Sequence, residues 1–375
     1  MITEEQLKKF TEQIKTSGYP LEHWASSLLR KEGWLVTTNC YYIDSDDKKP
    51  REMDIIAFKL ARLDRFKVKT VLMISCKKSQ NSVWGFLRRS FPEYGNQINL
   101  FPVMISSTFS PVNFSLQNLK WWPREFCEFM DKRGLSNWFG VPQYDVFAYQ
   151  QIPLLEKGKL HDSDMHSSTM QLIKAQAYEM PDRHHGHERE IVQFNLISLT
   201  EGDFVAFNFN DDGAIDAVNI SEQVSLTSYK IDNRDHESRI IYLTKKKFED
   251  EVSTFTKLHE LNKEFFALRE NEFRDGAIFE DSKINVHYEE FISRIERYIL
   301  QCSTSFNTPP YTVPKLKIHL SSAKGSEKPI VSISSQNCEI LQVACYPAVK
   351  ERINRELEYF WGYCGDVDIR TSSSL

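Results

Sequence analysis

Glu52 and Asp54 lie two residues apart, and so do Ser75 and Lys77. In an extended chain, residues two apart share a face. The first pair opens an apolar run, Ile55–Phe58. The second closes another, Thr70–Ile74, and the polar stretch Lys59–Lys69 joins the two. Short β-branched runs bounded by charged turns read as strands, and this spacing reads as a hairpin. Paired antiparallel, the strands bring acids and an amine to one sheet edge. That edge is a candidate metal site with a water-activating lysine. The bland alternative is a surface hairpin with solvated charges at its ends.

The elements around the hairpin give it context. Thr3-Glu-Glu-Gln is a capping-box start, and Leu7, Phe10 and Ile14 form one stripe of the helix it opens. A second helix is predicted from Leu21 to Lys31, with Pro20 at its entry and Gly33 as its stop. Its apolar face is Leu21, Trp24, Ala25, Leu28 and Leu29, and Glu22 sits beside that stripe at the N-terminal end. Trp34–Ile43 reads as the first strand. Ser82–Phe91 is read as helical, Leu100–Ser106 as a strand, Phe114–Asp131 as a helix interrupted by Pro123, and Tyr144–Tyr149 as a strand. Ser163–Met180 is a helix whose polar face offers Gln171, Lys174, Tyr178 and Glu179. Strands are expected over Ile191–Ser198, Asp203–Phe209 and Arg239–Leu243, then a helix from Lys247 to at least Lys257. Beyond a charged boundary, Arg269–Asp281, come a helix over Tyr288–Leu300, a rigid turn at Thr308–Pro314, strands at Leu316–Leu320, Ile330–Ser334 and Ile340–Cys345, and a last helix, Ala348–Phe360.

Glu22 on a helix, Asp54 on one strand and Ser75-Cys76-Lys77 on the next resemble the core of the PD-(D/E)xK nuclease superfamily. The resemblance extends to Ser163–Met180, similar to that superfamily's second core helix, and to Ile191–Phe207, similar to its late strand, glycine turn and strand. It covers residues 1 to 260, with an insertion at about 80–162. It implies an α/β fold, a restriction-endonuclease-like mixed sheet flanked by helices, with a smaller α+β region over 261–375. It implies a Mg²⁺- or Mn²⁺-dependent hydrolase cutting DNA phosphodiester bonds, with a role in defence against foreign DNA. Asp54, Glu22 and the Cys76 backbone carbonyl would hold the metal, with Glu52 in reserve. Ser75 would act through water, and Lys77 would orient the attacking water. Gln171, Lys174 and Tyr178 would touch the DNA backbone. The chain departs from the pattern at Ser75, where an acid is usual; some Mrr-like restriction enzymes also carry a neutral residue there. The rival expectation is an inactive relative that binds nucleic acid or a partner protein through the same cleft.

Composition narrows the field further. With 375 residues, 41% hydrophobic content and 25 Phe, the chain can bury a sizeable core and exceeds one small domain. A net charge of −5 supplies no general basic field, so DNA contact must come from a local patch. No apolar run is long enough to span a membrane, and the N-terminus does not read as a signal peptide. Seven cysteines without a C-x-x-C pair point to reduced thiols and a cytoplasmic protein. His184-His-Gly-His-Glu lacks a partner at zinc-site spacing and reads as a solvated loop. Arg88-Arg and Lys245-Lys-Lys are short basic runs, and Trp121-Trp-Pro reads as core or interface. No G-x-S-x-G elbow or glycine-rich phosphate loop occurs. The C-terminal region shows no chemistry of its own and is left to self-association or partner binding.

Overall fold

The computed structural model describes all residues except 1, 45–47, 80, 92–100, 119–121, 155–159, 180–188, 232–233, 305–315, 323–327 and 374–375. The His184 loop and the Thr308–Pro314 turn therefore lie outside the described residues. The protein is mixed α/β, with mixed sheets flanked by helices. It divides into two compact units, Met1–Phe109 with Lys120–Phe266, and Ser110–Leu119 with Ala267–Leu375.

The first unit begins with α1 (Glu4–Lys15) and α2 (Tyr19–Lys31), followed by β1 (Leu35–Ile43), β2 (Pro50–Arg62) and β3 (Lys67–Lys77). The hairpin strands run longer than their apolar runs alone suggest, because the polar connector pairs too. The turn is only Leu63–Phe66, closed by a Leu63 N–H donating to the Phe66 carbonyl at 2.9 Å. Then come β4 (Ser82–Ser90), β5 (Met104–Ser107) and, after α3 (Ser110–Asn118) of the second unit, α4 (Trp122–Met130), a π-helical turn at Asp131–Leu135 and α5 (Ser136–Phe139). The unit continues with β6 (Tyr144–Pro153), α6 (Ser163–Glu179), β7 (Glu190–Thr200), β8 (Phe204–Phe209), β9 (Ile215–Ile220), β10 (Glu222–Ile231) and β11 (Arg234–Thr244). The 30-residue helix α7 (Lys245–Arg274) follows.

A seven-stranded sheet runs β1-β2-β3-β7-β11-β10, with β5 also paired to β7. β1, β2 and β3 form an antiparallel meander, and β3, β7 and β11 run parallel. β3 is covered on both faces, so Val71, Leu72, Met73 and Ile74 are all buried; each contributes roughly 1.5–3 kcal/mol by leaving water. Its odd-numbered residues Val71 and Met73 join a core shared with Leu172 and Ile173 of α6. Its even-numbered Thr70 meets His259 of α7 at 2.9 Å. A second sheet, β6-β4-β8-β9, contributes Trp84, Phe86 and Phe204 to the α6-side core.

One expectation gives way here. Ser82–Ser90 is a strand, not a helix: Trp84 and Phe86 are fully buried two apart. Gly85 between them is needed because a Cβ there would come within 2.9 Å of the Gln150 carbonyl. The strands expected at Ile191–Ser198 and Asp203–Phe209 form as β7 and β8, which join the large and the small sheet respectively. In α1, Leu7, Phe10 and Ile14 stay exposed.

The second unit holds α3, the end of α7, a 3₁₀ turn at Ala277–Phe279, α8 (Asp281–Thr304), β12 (Leu316–Ser321), β13 (Ile330–Ser335), α9 (Cys338–Ala344), α10 (Pro347–Trp361) and β14 (Asp368–Ser372). Its sheet runs β12-β13-β14. Phe291, Ile295 and Ile299 of α8 pack with Val331, Ile333, Ile353 and Leu357. The predicted strand at Ile340–Cys345 is instead α9. Asn337 caps it by accepting the Glu339 N–H at 2.8 Å, and Ile340, Val343 and Ala344 are buried at helical spacing. Among the described residues the cysteines form no disulfide.

Candidate functional site

The β2–β3 ladder begins at Ile55↔Ile74 and includes no pair before it. The β1–β2 ladder pairs Thr38 with Ile55 and Cys40 with Met53, skipping Asn39 and Asp54. Asn39 has φ 55°, a left-handed conformation that asparagine tolerates better than most residues. This kink frees Asp54 from strand pairing. Its carboxylate then takes the place of a strand carbonyl: the Cys76 N–H donates to Asp54 Oδ2 at 2.6 Å.

Strand parity places Ser75 and Lys77 on the α6 side, continuing the row Val71–Met73. There they meet Gln171. Its Oε1 accepts from Ser75 Oγ at 2.7 Å and from Lys77 Nζ at 3.3 Å. Its Nε2 donates to Asp54 Oδ1 at 2.9 Å and to the Glu52 carbonyl at 2.6 Å. Asp54 and Lys77 therefore lie on the same side of the sheet. Ser75 is fully buried, Asp54 and Lys77 are half-buried, and the Glu52 side chain is exposed.

Glu22, half-buried on α2, completes the group electrostatically. Burial pushes its carboxyl above the ordinary range, and the charges of Asp54 and Glu52 push it further, against a smaller opposing pull from Lys77. Burial likewise raises the Cys76 thiol well above its usual value, helped by Asp54 and Glu22. A thiol held protonated is no nucleophile, so Cys76 offers the site only its backbone.

The other α6 residues singled out in the sequence are engaged inside this unit. Lys174 bonds both oxygens of buried Asp44, at 2.9 and 3.1 Å, and Arg51 approaches the same acid at 3.6 Å. The Tyr178 ring lies 5.8 Å from that of Tyr42. The basic runs are also paired: Arg88 with Asn208 and Gln223, Arg89 with Asp145, Lys245 with Glu201, and Lys247 with Glu251.

Among the described residues, no group of three or more His, Cys, Asp or Glu side chains forms a ready metal cage. The donor set nonetheless suits a hard divalent ion. Glu22 is raised by burial and then by like charge that Lys77 only partly offsets, and Mg²⁺ needs only one or two carboxylates while keeping its waters. In the sequence, Gln171 reads as a residue facing the DNA backbone. Its role as hub depends on contacts with residues about a hundred positions away, which helical spacing does not encode.

No family model, curated protein or solved structure matches this chain. No helix among the described residues is long and apolar enough to cross a membrane.

Proposed function

We propose that this protein is a Mg²⁺- or Mn²⁺-dependent DNA endonuclease of restriction-endonuclease-like fold, acting in defence against foreign DNA. The observation that carries the reading is the shared partner of Asp54 and Lys77. An acid and an amine from neighbouring strand ends meet one amide on one side of the sheet, with Glu22 within electrostatic range. The order α2, antiparallel β1-β2-β3, α6, then β7 parallel to β3 supports the resemblance drawn from the sequence.

In this reading Asp54, Glu22 and the Cys76 carbonyl would hold the cation, while the buried Ser75 hydroxyl stays bonded to Gln171. The cation, when bound, polarises the scissile phosphate and offsets charge on the leaving oxygen. Lys77 orients the attacking water and stabilises the negative charge it develops as its proton leaves. Water adds to phosphorus, the P–O bond to the leaving strand breaks, and that oxygen takes up a proton.

A second reading is a catalytically inactive relative that binds nucleic acid or a partner protein. It is favoured by Ser75, where a buried neutral hydroxyl committed to Gln171 stands in the usual position of an acid. The test is incubation of plasmid and single-stranded DNA with Mg²⁺ or Mn²⁺, comparing the wild-type protein with Asp54→Ala and Lys77→Ala. Cleavage by the wild type alone supports the enzyme. DNA retained but uncut by all three proteins supports the binder.

A further inference from the structure

We propose that Gln171 is a positioning residue, whose carboxamide bridges Lys77 and Asp54 and keeps these opposite charges from pairing directly. The use made of the bridge rests on the nuclease reading, but the bridge belongs to the chain alone.

The amide is fully committed. A carboxamide has two acceptor positions and two donor hydrogens. Here the acceptors serve Ser75 and Lys77, and the donors serve Asp54 and the Glu52 carbonyl. Only one orientation works, because rotating the amide would set its NH₂ against the lysine ammonium and its oxygen against a carboxylate. Ser75 strengthens the choice: its hydroxyl is fully buried, and its proton goes to Oε1. The helix behind the amide is pinned on both sides. Ser168 bonds Ser198 at 2.7 Å one turn before it, and Lys174 bonds Asp44 at 2.9 Å one turn after.

Without the bridge, the charges are positioned to collapse together. Asp54 Oδ2 already binds the N–H of Cys76, the residue next to Lys77. A lysine on its flexible four-carbon stem, beside a half-buried carboxylate, forms an ion pair unless something stands between them. Among the described residues, neither Lys77 nor Asp54 makes such a pair, and Gln171 is the side chain that each one meets. Interposed, the amide gives each charge a dipole of the right sign without neutralising either. The lysine stays available to a water molecule, and the carboxylate stays available to a cation. A direct pair would use up both.

The test replaces the amide by an apolar side chain of similar length. In the crystal structure of Q171M, the bridge predicts a direct Lys77–Asp54 ion pair; the two charges remaining apart would overturn it. Mn²⁺ titration of the same variant is expected to show about 10–100-fold weaker binding, the usual cost of losing a residue that orients a ligand. Adding K77M to Q171M should restore the affinity, because it removes the group that captures Asp54. Unchanged affinity in Q171M, or no recovery in the double variant, contradicts the bridge. Should Q171M fold poorly, Q171N keeps the polarity but falls one methylene short, and the same contact and the same loss are expected. If wild type itself binds no Mn²⁺, the nuclease reading falls, and the Lys77–Asp54 contact in the crystal decides the bridge alone.

Discussion

One cluster of charges in each unit shows opposite handling. In the first, Asp54 and Lys77 are half-buried on strand ends and meet only through Gln171, while Glu22 is raised by burial and by the charges of Asp54 and Glu52, which Lys77 only partly offsets. In the second, Asp366 sits on the open surface between Lys328 at 3.1 Å and Lys350 at 2.9 Å, and the pair lowers its carboxyl to about 2. Arg370 is similarly satisfied by Asp368 at 3.0 Å. Directly paired surface charges are screened and contribute little beyond solubility. Charges held apart in a partly buried setting retain the capacity to act on something else. Both sets of residues are ordinary surface types in the sequence; the difference lies in whether they neutralise one another.

The sharpest way to break this comparison is to neutralise one acid from each unit. Asp54→Asn should cut DNA cleavage by about 10²–10⁴-fold, as loss of a group acting in the transition state does. Asp366→Asn should leave cleavage unchanged in the same plasmid assay. Equal effects would erase the distinction. A second contrast concerns the framework: Leu72→Ala, on the central strand beneath the site, should destabilise the fold by about 2–5 kcal/mol in denaturant titration.

Two pH measurements sharpen the electrostatic side. The Glu22 carboxyl is raised above its ordinary value of 4.5. The folded state therefore binds this proton more tightly than the unfolded chain, and stability declines as pH rises through the folded-state value. Glu22→Gln should thus melt at a higher temperature than wild type at neutral pH, and the gap should close below pH 4.5. With saturating Mn²⁺ the order should reverse. The smaller effect belongs to His259, buried against Thr70 and lowered from 6.5 to about 4 by desolvation. Here the unfolded chain takes the proton first, so stability falls as pH drops from 6.5 toward 4. His259→Asn should flatten that slope in thermal melts.

Local pattern accounted for what was legible. The meander β1-β2-β3, the helix bearing Glu22 and the shared face of Ser75 and Lys77 all follow from periods of two and 3.6 residues. Val83–Leu87 and Ile340–Cys345 show where pattern fails: short apolar runs fit strand and helix alike, and the decision came from Gly85 against a neighbouring carbonyl and from the Asn337 cap. The exposed strand β9 lacks the buried alternation that would announce it. At the site, the acids and the lysine were visible because their chemistry is recognisable by type. Gln171 was not, since a glutamine on a polar helix face looks the same whether it meets solvent or joins four charged or polar groups. The kink at Asn39 that frees Asp54 was hidden for a similar reason, because one residue of positive φ leaves no mark on the hydrophobic pattern.

The central claim is that Glu22 and Asp54 together address one divalent ion beside a lysine kept free for water. Calorimetric titration with Mn²⁺ tests it most directly, on wild type, Glu22→Gln and Asp54→Asn, with no DNA present. The account predicts one ion bound per chain, with binding lost or severely weakened in both variants. Wild-type binding that both substitutions leave untouched would contradict it.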